Sequence, residues 1–145
     1  MEITENNVYY LISRLLDDFD NIKKEYSKRL IEEGYGVTAS QLEIIIAIGQ
    51  NPGIALGELA TLTKLHITTV EGYVNRLSKK EFVDKKKDPN DFRRVVVKLS
   101  IAGEQVAKAT PTGYRMKLFE ELKSIPLFEK EEMYQVLKKM VFLMR

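Results

Sequence analysis

Thr68, Thr69, Gly72, Asn75, Arg76 and Lys79 follow one another at intervals of one and three, the spacing that gathers side chains on one face of a helix. Their groups are hydrogen-bonding and cationic. A threonine hydroxyl can bond a phosphate or a base edge, the asparagine carboxamide offers a paired donor and acceptor suited to adenine, and the arginine can grip guanine or phosphate with two parallel bonds. The glycine costs about 1 kcal/mol against alanine in a helix interior, so it either serves a close approach by a partner or is simply tolerated. Thr68-Thr69-Val70-Glu71 also fits a capping box, so Thr68 reads as an N-cap or as a phosphate contact. Lys85, Lys86, Lys87, Arg93 and Arg94 follow, a run that either covers a solvated face or clamps phosphates. His66 is the single histidine and there is no cysteine, which leaves it a surface or capping role in place of a dedicated transition-metal site. No metal and no cofactor is expected.

The charge total conceals this clustering. The 145 residues carry 23 Lys or Arg and 21 Asp or Glu, a net +2. Between Lys64 and Lys98 there are ten basic residues against five acidic ones, a local +5, while the remainder has 13 against 16, or −3. A localised basic excess is the electrostatic footprint of a polyanion partner. The 44% hydrophobic and 30% charged composition is that of a globular domain. Without cysteine, disulfides, thiolate metal sites and thiol redox sensing are excluded. No apolar run reaches the roughly 18 residues that span a bilayer, and Met1-Glu2-Ile3-Thr4-Glu5 lacks the order of a signal peptide, so the expected location is the cytoplasm and no membrane partner is expected.

The elements that position these groups are helical. Val8, Ile12, Leu15, Phe19, Ile22, Tyr26 and Leu30 alternate four and three apart, the seam of a helix predicted from about Thr4 to Glu33 and ended by Gly34 and Gly36. At roughly 45 Å it exceeds the roughly 38 Å diameter of a compact globule of this length. Thr38-Ala39-Ser40-Gln41 predicts the capped start of a second helix with Leu42, Ile45, Ile46 and Ile48 inward, ending near Gln50 before the turn Asn51-Pro52-Gly53. A short helix from Gly57 to about Leu62, a tight turn, and a longer helix with Ile67, Val70, Val74 and Leu77 on one face describe a helix-turn-helix. Phe82–Lys87 and Arg94–Leu99 flank Asp88-Pro89-Asn90-Asp91, a β-hairpin on a type I turn, with Val95, Val97 and Leu99 opposite Arg94, Val96 and Lys98. Ser100 caps a further helix with Leu118, Leu122 and Ile125 on one stripe and an interruption near Pro111. After Pro126 a last helix carries a packing stripe of Met133, Leu137, Met140 and Met144.

This order is a winged helix-turn-helix, and its residues resemble the MarR family of transcriptional regulators. The matching motifs are Thr38-Ala39-Ser40-Gln41, Gly57-Glu58-Leu59-Ala60, Thr68-Thr69-Val70, Val74-Asn75-Arg76-Leu77, Asp88-Pro89-Asn90-Asp91-Phe92-Arg93 and Val97-Lys98-Leu99-Ser100-Ile101-Ala102-Gly103. Glu81 stands where the family usually has glycine, Phe92 where an arginine is common, and Ile67 where a polar residue is common. The resemblance implies a mainly α fold over 1–145, with a DNA-binding lobe at 38–103. Within that lobe the helix-turn-helix spans 55–78 and a two-stranded wing 82–99, and dimerisation helices lie at 1–33 and 104–145. It further implies a homodimer on pseudo-palindromic double-stranded operator DNA, usually as a repressor and often released by a small aromatic or amphipathic effector. Carried onto this sequence, the DNA contacts are Thr68, Thr69, Gly72, Asn75, Arg76, Lys79, Lys86, Arg93 and Arg94. Arg93 enters the minor groove, and Asp91 either orients it or only stabilises the turn. The effector pocket falls near Tyr26, Leu30, Tyr35 and Ile45, which also read as core.

Two other classes of function fit the sequence less well. A winged helix that binds protein in place of DNA would keep its partner when Arg76 and Arg93 are neutralised. An enzyme is disfavoured, since the sequence has no Gly-rich phosphate loop, no Gly-x-Ser-x-Gly elbow and no thiol, and no catalytic residue is assigned.

Overall fold

Gly34 and Gly36 adopt φ of +86° and +69° and end the first helix, α1, Val8–Glu32. The computed structural model describes residues 1–110 and 115–145. Their elements run α1, α2 (Ala39–Gln50), β1 (Ile54–Ala55), α3 (Leu56–Thr63), α4 (Ile67–Lys79), β2 (Val83–Asp88), β3 (Asp91–Leu99), α5 (Ile101–Ala109), α6 (Met116–Leu122) and α7 (Leu127–Leu143). The chain divides into two compact units, Met1–Gly113 and Tyr114–Arg145. The interruption expected near Pro111 lies outside the described residues.

Helix α1 starts four residues later than the apolar spacing predicts. Asn7 ties the preceding segment into a turn: its Oδ1 accepts from Thr4 N–H at 2.9 Å and its Nδ2 donates to Glu2 O at 3.0 Å. A short polar side chain bonded to nearby backbone competes with the helix in this way. Leu30 at the lower end of the seam is buried and Tyr26 half-buried, but Ile12, Leu15, Phe19 and Ile22 stand exposed.

Helix α2 begins on the predicted capping box. Thr38 Oγ1 accepts from Gln41 N–H at 3.2 Å, and Gln41 Oε1 accepts from Thr38 N–H at 3.1 Å. Leu42, Ile45 and Ile48 are buried as expected, and Ile44 is buried too, because α1, α3, α4, α5 and β3 all pack on this helix. Leu59 from α3 and Val70, Val74 and Leu77 from α4 complete the core with Val83, Val97 and Leu99 from the sheet.

The wing is larger than the predicted hairpin. β1, at two residues too short to show a period, pairs Ile54 with Val97 and Ala55 with Val96, giving a three-stranded antiparallel sheet in the order β1-β3-β2. Val96 keeps the place its alternation gives it, opposite Lys86 on β2 and Ala55 on β1, but is buried there. Strands β2 and β3 close over Pro89-Asn90, where Asn90 N–H donates to Asp88 Oδ1 at 2.9 Å.

Helix α4 ends on Glu81 at φ +63°. Glu81 N–H donates to Ser78 O at 3.0 Å and Phe82 N–H to Leu77 O at 3.0 Å, the paired bonds of a Schellman motif. A side chain in this left-handed region costs energy that glycine avoids. Glu81→Gly is therefore expected to raise the unfolding free energy by about 0.5–1 kcal/mol, net of the added flexibility of the unfolded chain. Thermal denaturation checks this, and a lowered midpoint would contradict it.

In the second unit α7 follows Pro126 as predicted. Its Met133, Leu137 and Met144 are exposed and Met140 is half-exposed, so the expected packing stripe is uncovered in a single chain. Leu118 on α6 is likewise exposed, with Leu122 and Ile125 half-buried. Among the described residues no helix is long and apolar enough to cross a membrane.

Candidate nucleic-acid interface

Burial of Val70, Val74 and Leu77 fixes the rotation of α4 about its axis. At about 100° per residue, Thr68, Gly72 and Lys79 lie opposite that stripe, with Asn75 to one side and Thr69 and Arg76 to the other. All but half-buried Gly72 are exposed, so the six residues gathered by spacing do share one outward face.

His66 starts this helix. Its Nδ1 accepts from Thr68 N–H at 3.3 Å and lies 2.9 Å from Thr68 Oγ1, so the ring proton sits on Nε2 when the imidazole is neutral. This corrects the capping-box reading of Thr68, which sits inside the first turn and does not cap it. His66 holds the Thr68 hydroxyl at the end of the helix, on the outward face.

Arg76 folds back over the Tyr73 ring, its guanidinium carbon 5.2 Å from the centroid. A Cβ built on Gly72 would come no nearer than 3.6 Å to the Arg76 guanidinium. The fold itself therefore admits alanine at 72, and nothing within the chain requires the glycine.

On the wing, Asp91 Oδ1 accepts from Arg93 N–H at 3.1 Å and from Arg93 Nε at 3.2 Å. The carboxylate thus holds both ends of a side chain that is 93% exposed. Arg94 is placed differently. It pairs with Glu58 of α3 and lies 4.0 Å from Asp88 Oδ2, a strut between the wing and the helix-turn-helix. Glu58 also accepts from Ala55 N–H at 3.3 Å, which joins β1 and the start of α3 to the same strut.

Lys86 lines a cleft of about 360 Å³ between α4 and the wing, with Leu56, Glu71, Asn75, Lys85, Lys87 and Val95. In it Lys85 Nζ donates to Asn75 Oδ1 at 2.6 Å. Lys85 and Lys86 belong to the same cationic run, and only the meeting of strand and helix singles out Lys85. A second cleft of about 570 Å³ opens beside the first turn of α3 and is bordered by Arg93 and Arg94.

At the other end of α4, Lys80 Nζ donates to Gly36 O at 2.8 Å and to Gln41 Oε1 at 3.2 Å, pinning the helix to the loop before α2. Of the residues considered for an effector pocket, Leu30 and Ile45 are fully buried in the core. Tyr26 and Tyr35 are half-buried against it. Burial raises the pKa of the Tyr26 hydroxyl, and the Arg29 guanidinium lies 5.4 Å from its ring centroid.

A helix whose outward face carries hydrogen-bonding and cationic groups, joined by a tight turn to α3 and flanked by an arginine-tipped hairpin, defines the winged helix-turn-helix class. The MarR family model matches residues 37–95, from just before α2 into β3. The fold is similar to that of Staphylococcus aureus MepR in a DNA complex, with a TM-score of 0.69 at 20% identity, covering 99% of this chain and 100% of that one. It is similar to PcaV from Streptomyces coelicolor in complex with its natural ligand, at 0.70 and 18%, with 100% of both chains covered. Wild-type apo MarR from E. coli gives 0.60 at 25% identity, over 96% of this chain and 98% of that one. No curated protein matches the chain by sequence.

Proposed function

We propose that the protein is a homodimeric, sequence-specific DNA-binding regulator of transcription that represses from pseudo-palindromic operators. The observation that carries this reading is the convergence of the outward face of α4 with the Asp91-held Arg93 on the wing, which reproduces a helix for the major groove and an arginine for the adjacent minor groove. Thr68, Thr69, Gly72, Asn75, Arg76 and Lys79 meet the major groove and its phosphates, Lys86 meets the backbone beside the wing, and Arg94 acts as a strut. The chemistry is binding alone, with no catalytic residue, cofactor or metal, and it is exercised in the cytoplasm.

The exposed stripe of Ile12, Leu15, Phe19 and Ile22 supports association of two copies, since a surface helix with four large apolar groups in register is the side of a helix pair. Two recognition helices would then meet half-sites about 34–36 Å apart. The likeness to ligand-bound PcaV supports release by a small aromatic or amphipathic effector near Tyr26 and Tyr35. Such an effector must bind the DNA-incompetent state more tightly, and a coupling of about 1–3 kcal/mol would change operator affinity by about 5- to 150-fold.

Titration of the purified protein against its own gene's upstream region and against random duplex, at several salt concentrations, tests the reading. The expected result is at least about a thousandfold preference for the upstream region. Equal micromolar binding to both duplexes would sink it.

A further inference from the structure

The bond between wing and recognition helix bears on which base the helix selects. Lys85 Nζ stands 2.6 Å from the Asn75 carboxamide. An ammonium has three donors and no acceptor, so the amide atom facing it must be oxygen. This fixes an orientation that is otherwise ambiguous in an asparagine, and it turns the amide N–H groups away from the lysine. The lysine is itself held at its root, because Lys85 is paired with Val97 inside the β2–β3 ladder. Asn75 is fixed at its own root by Val74, its fully buried neighbour on α4.

Adenine is read by a carboxamide that accepts from N6–H and donates to N7 at the same time. With an ammonium on the oxygen, the accepting half is engaged and the adenine amino hydrogens would have to approach a positive charge. Guanine and thymine make no such demand. Guanine offers N7 and O6 as acceptors and thymine offers O4, which suits a surface made of amide N–H and the remaining ammonium protons.

We infer that Lys85 is a specificity-determining residue, which by holding the Asn75 oxygen makes the pair a donor-only reader that selects guanine or thymine over adenine at one position of each half-site. This rests on the DNA-binding reading above, and its failure can be told apart from the failure of that reading.

The test is selection from a library of random-sequence duplexes with wild-type protein and with Asn75→Ala, Lys85→Met and Lys85→Arg. Asn75→Ala identifies the position read by Asn75 as the one whose preference disappears. At that position wild type and Lys85→Arg are expected to enrich guanine or thymine. Lys85→Met, which keeps the aliphatic stem but not the donor, is expected to shift the ratio toward adenine by about tenfold and to leave the other positions unchanged. Adenine preferred by the wild type, no position altered by Asn75→Ala, or a uniform loss of affinity in Lys85→Met with the same base preference would each overturn the inference. Failure of the wild type to enrich any sequence would instead overturn the DNA-binding reading on which it rests.

Discussion

Gly103→Ala is expected to lower the unfolding free energy of the Met1–Gly113 unit by about 3 kcal/mol. A Cβ at 103 would lie 2.1 Å from the Phe82 carbonyl oxygen, 3.1 Å from its carbon and 3.3 Å from Leu99 Cβ. Two of these neighbours are backbone and none is the loose end of a side chain. The carbonyl is fixed in turn, since Ser100 N–H donates to Phe82 O at 3.0 Å. Ser100 Oγ donates to Glu81 O at 2.6 Å and accepts from Gly103 N–H at 3.1 Å. The first turn of α5 is thus bonded to the segment that leaves α4, at a separation only glycine permits. Gly57 is the matched control, because nothing lies within 4 Å of a Cβ built there. Gly57→Ala should leave stability unchanged or raise it by up to about 1 kcal/mol. Urea denaturation of the two variants separates them, and a Gly103→Ala midpoint equal to wild type would refute the clash.

Neutralising Arg76 and Arg93 together is expected to weaken operator binding by at least about thirtyfold at moderate salt, from about 1–3 kcal/mol at each arginine. The slope of log affinity against log salt should also fall by about 2, because two phosphate-neutralising charges are removed. Both guanidinium groups are presented without being consumed. Arg93 is held by Asp91 yet 93% exposed, and Arg76 rests on an aromatic face that leaves its N–H edge open. Arg94→Ala provides the contrast. Its charge is already engaged by Glu58 and Asp88, so the salt slope should change by well under 1. Lys28→Ala, in an exposed pair with Glu32 on α1, should change neither quantity. A double variant within threefold of wild-type affinity would remove Arg76 and Arg93 from the interface.

What the sequence made legible was mostly local in the chain. The Thr38–Gln41 capping box and the Asp91–Arg93 pair each join residues two or three apart, and both form as read. Most of the inward faces of α2 and α4 followed from helical period, although Ile44 is buried against expectation and Ile46 and Ile67 are only partly buried. Errors arose where two local patterns compete, as at α4, where Thr68-Thr69-Val70-Glu71 imitates a cap that His66 supplies. Other features escaped because they join distant segments. β1 is strand only because β3 passes beside it, Arg94 meets Glu58 across 36 residues, and Lys85 meets Asn75 across ten. Gly103 was legible as part of a motif, but its necessity depends on where Phe82 ends up.

The uncovered stripe on α1 has a consequence beyond the geometry of two half-sites. In the homodimer proposed above, Ile12, Leu15, Phe19 and Ile22 would leave water only when a second chain arrives, so that part of the folding free energy would be collected from the solution and not from the chain itself. Each tenfold dilution then removes about 1.4 kcal/mol from the associated state. The melting temperature becomes a function of how many copies are present. A dimer built in this way would couple its own abundance to its survival, since chains too dilute to pair would keep the stripe exposed and open to degradation.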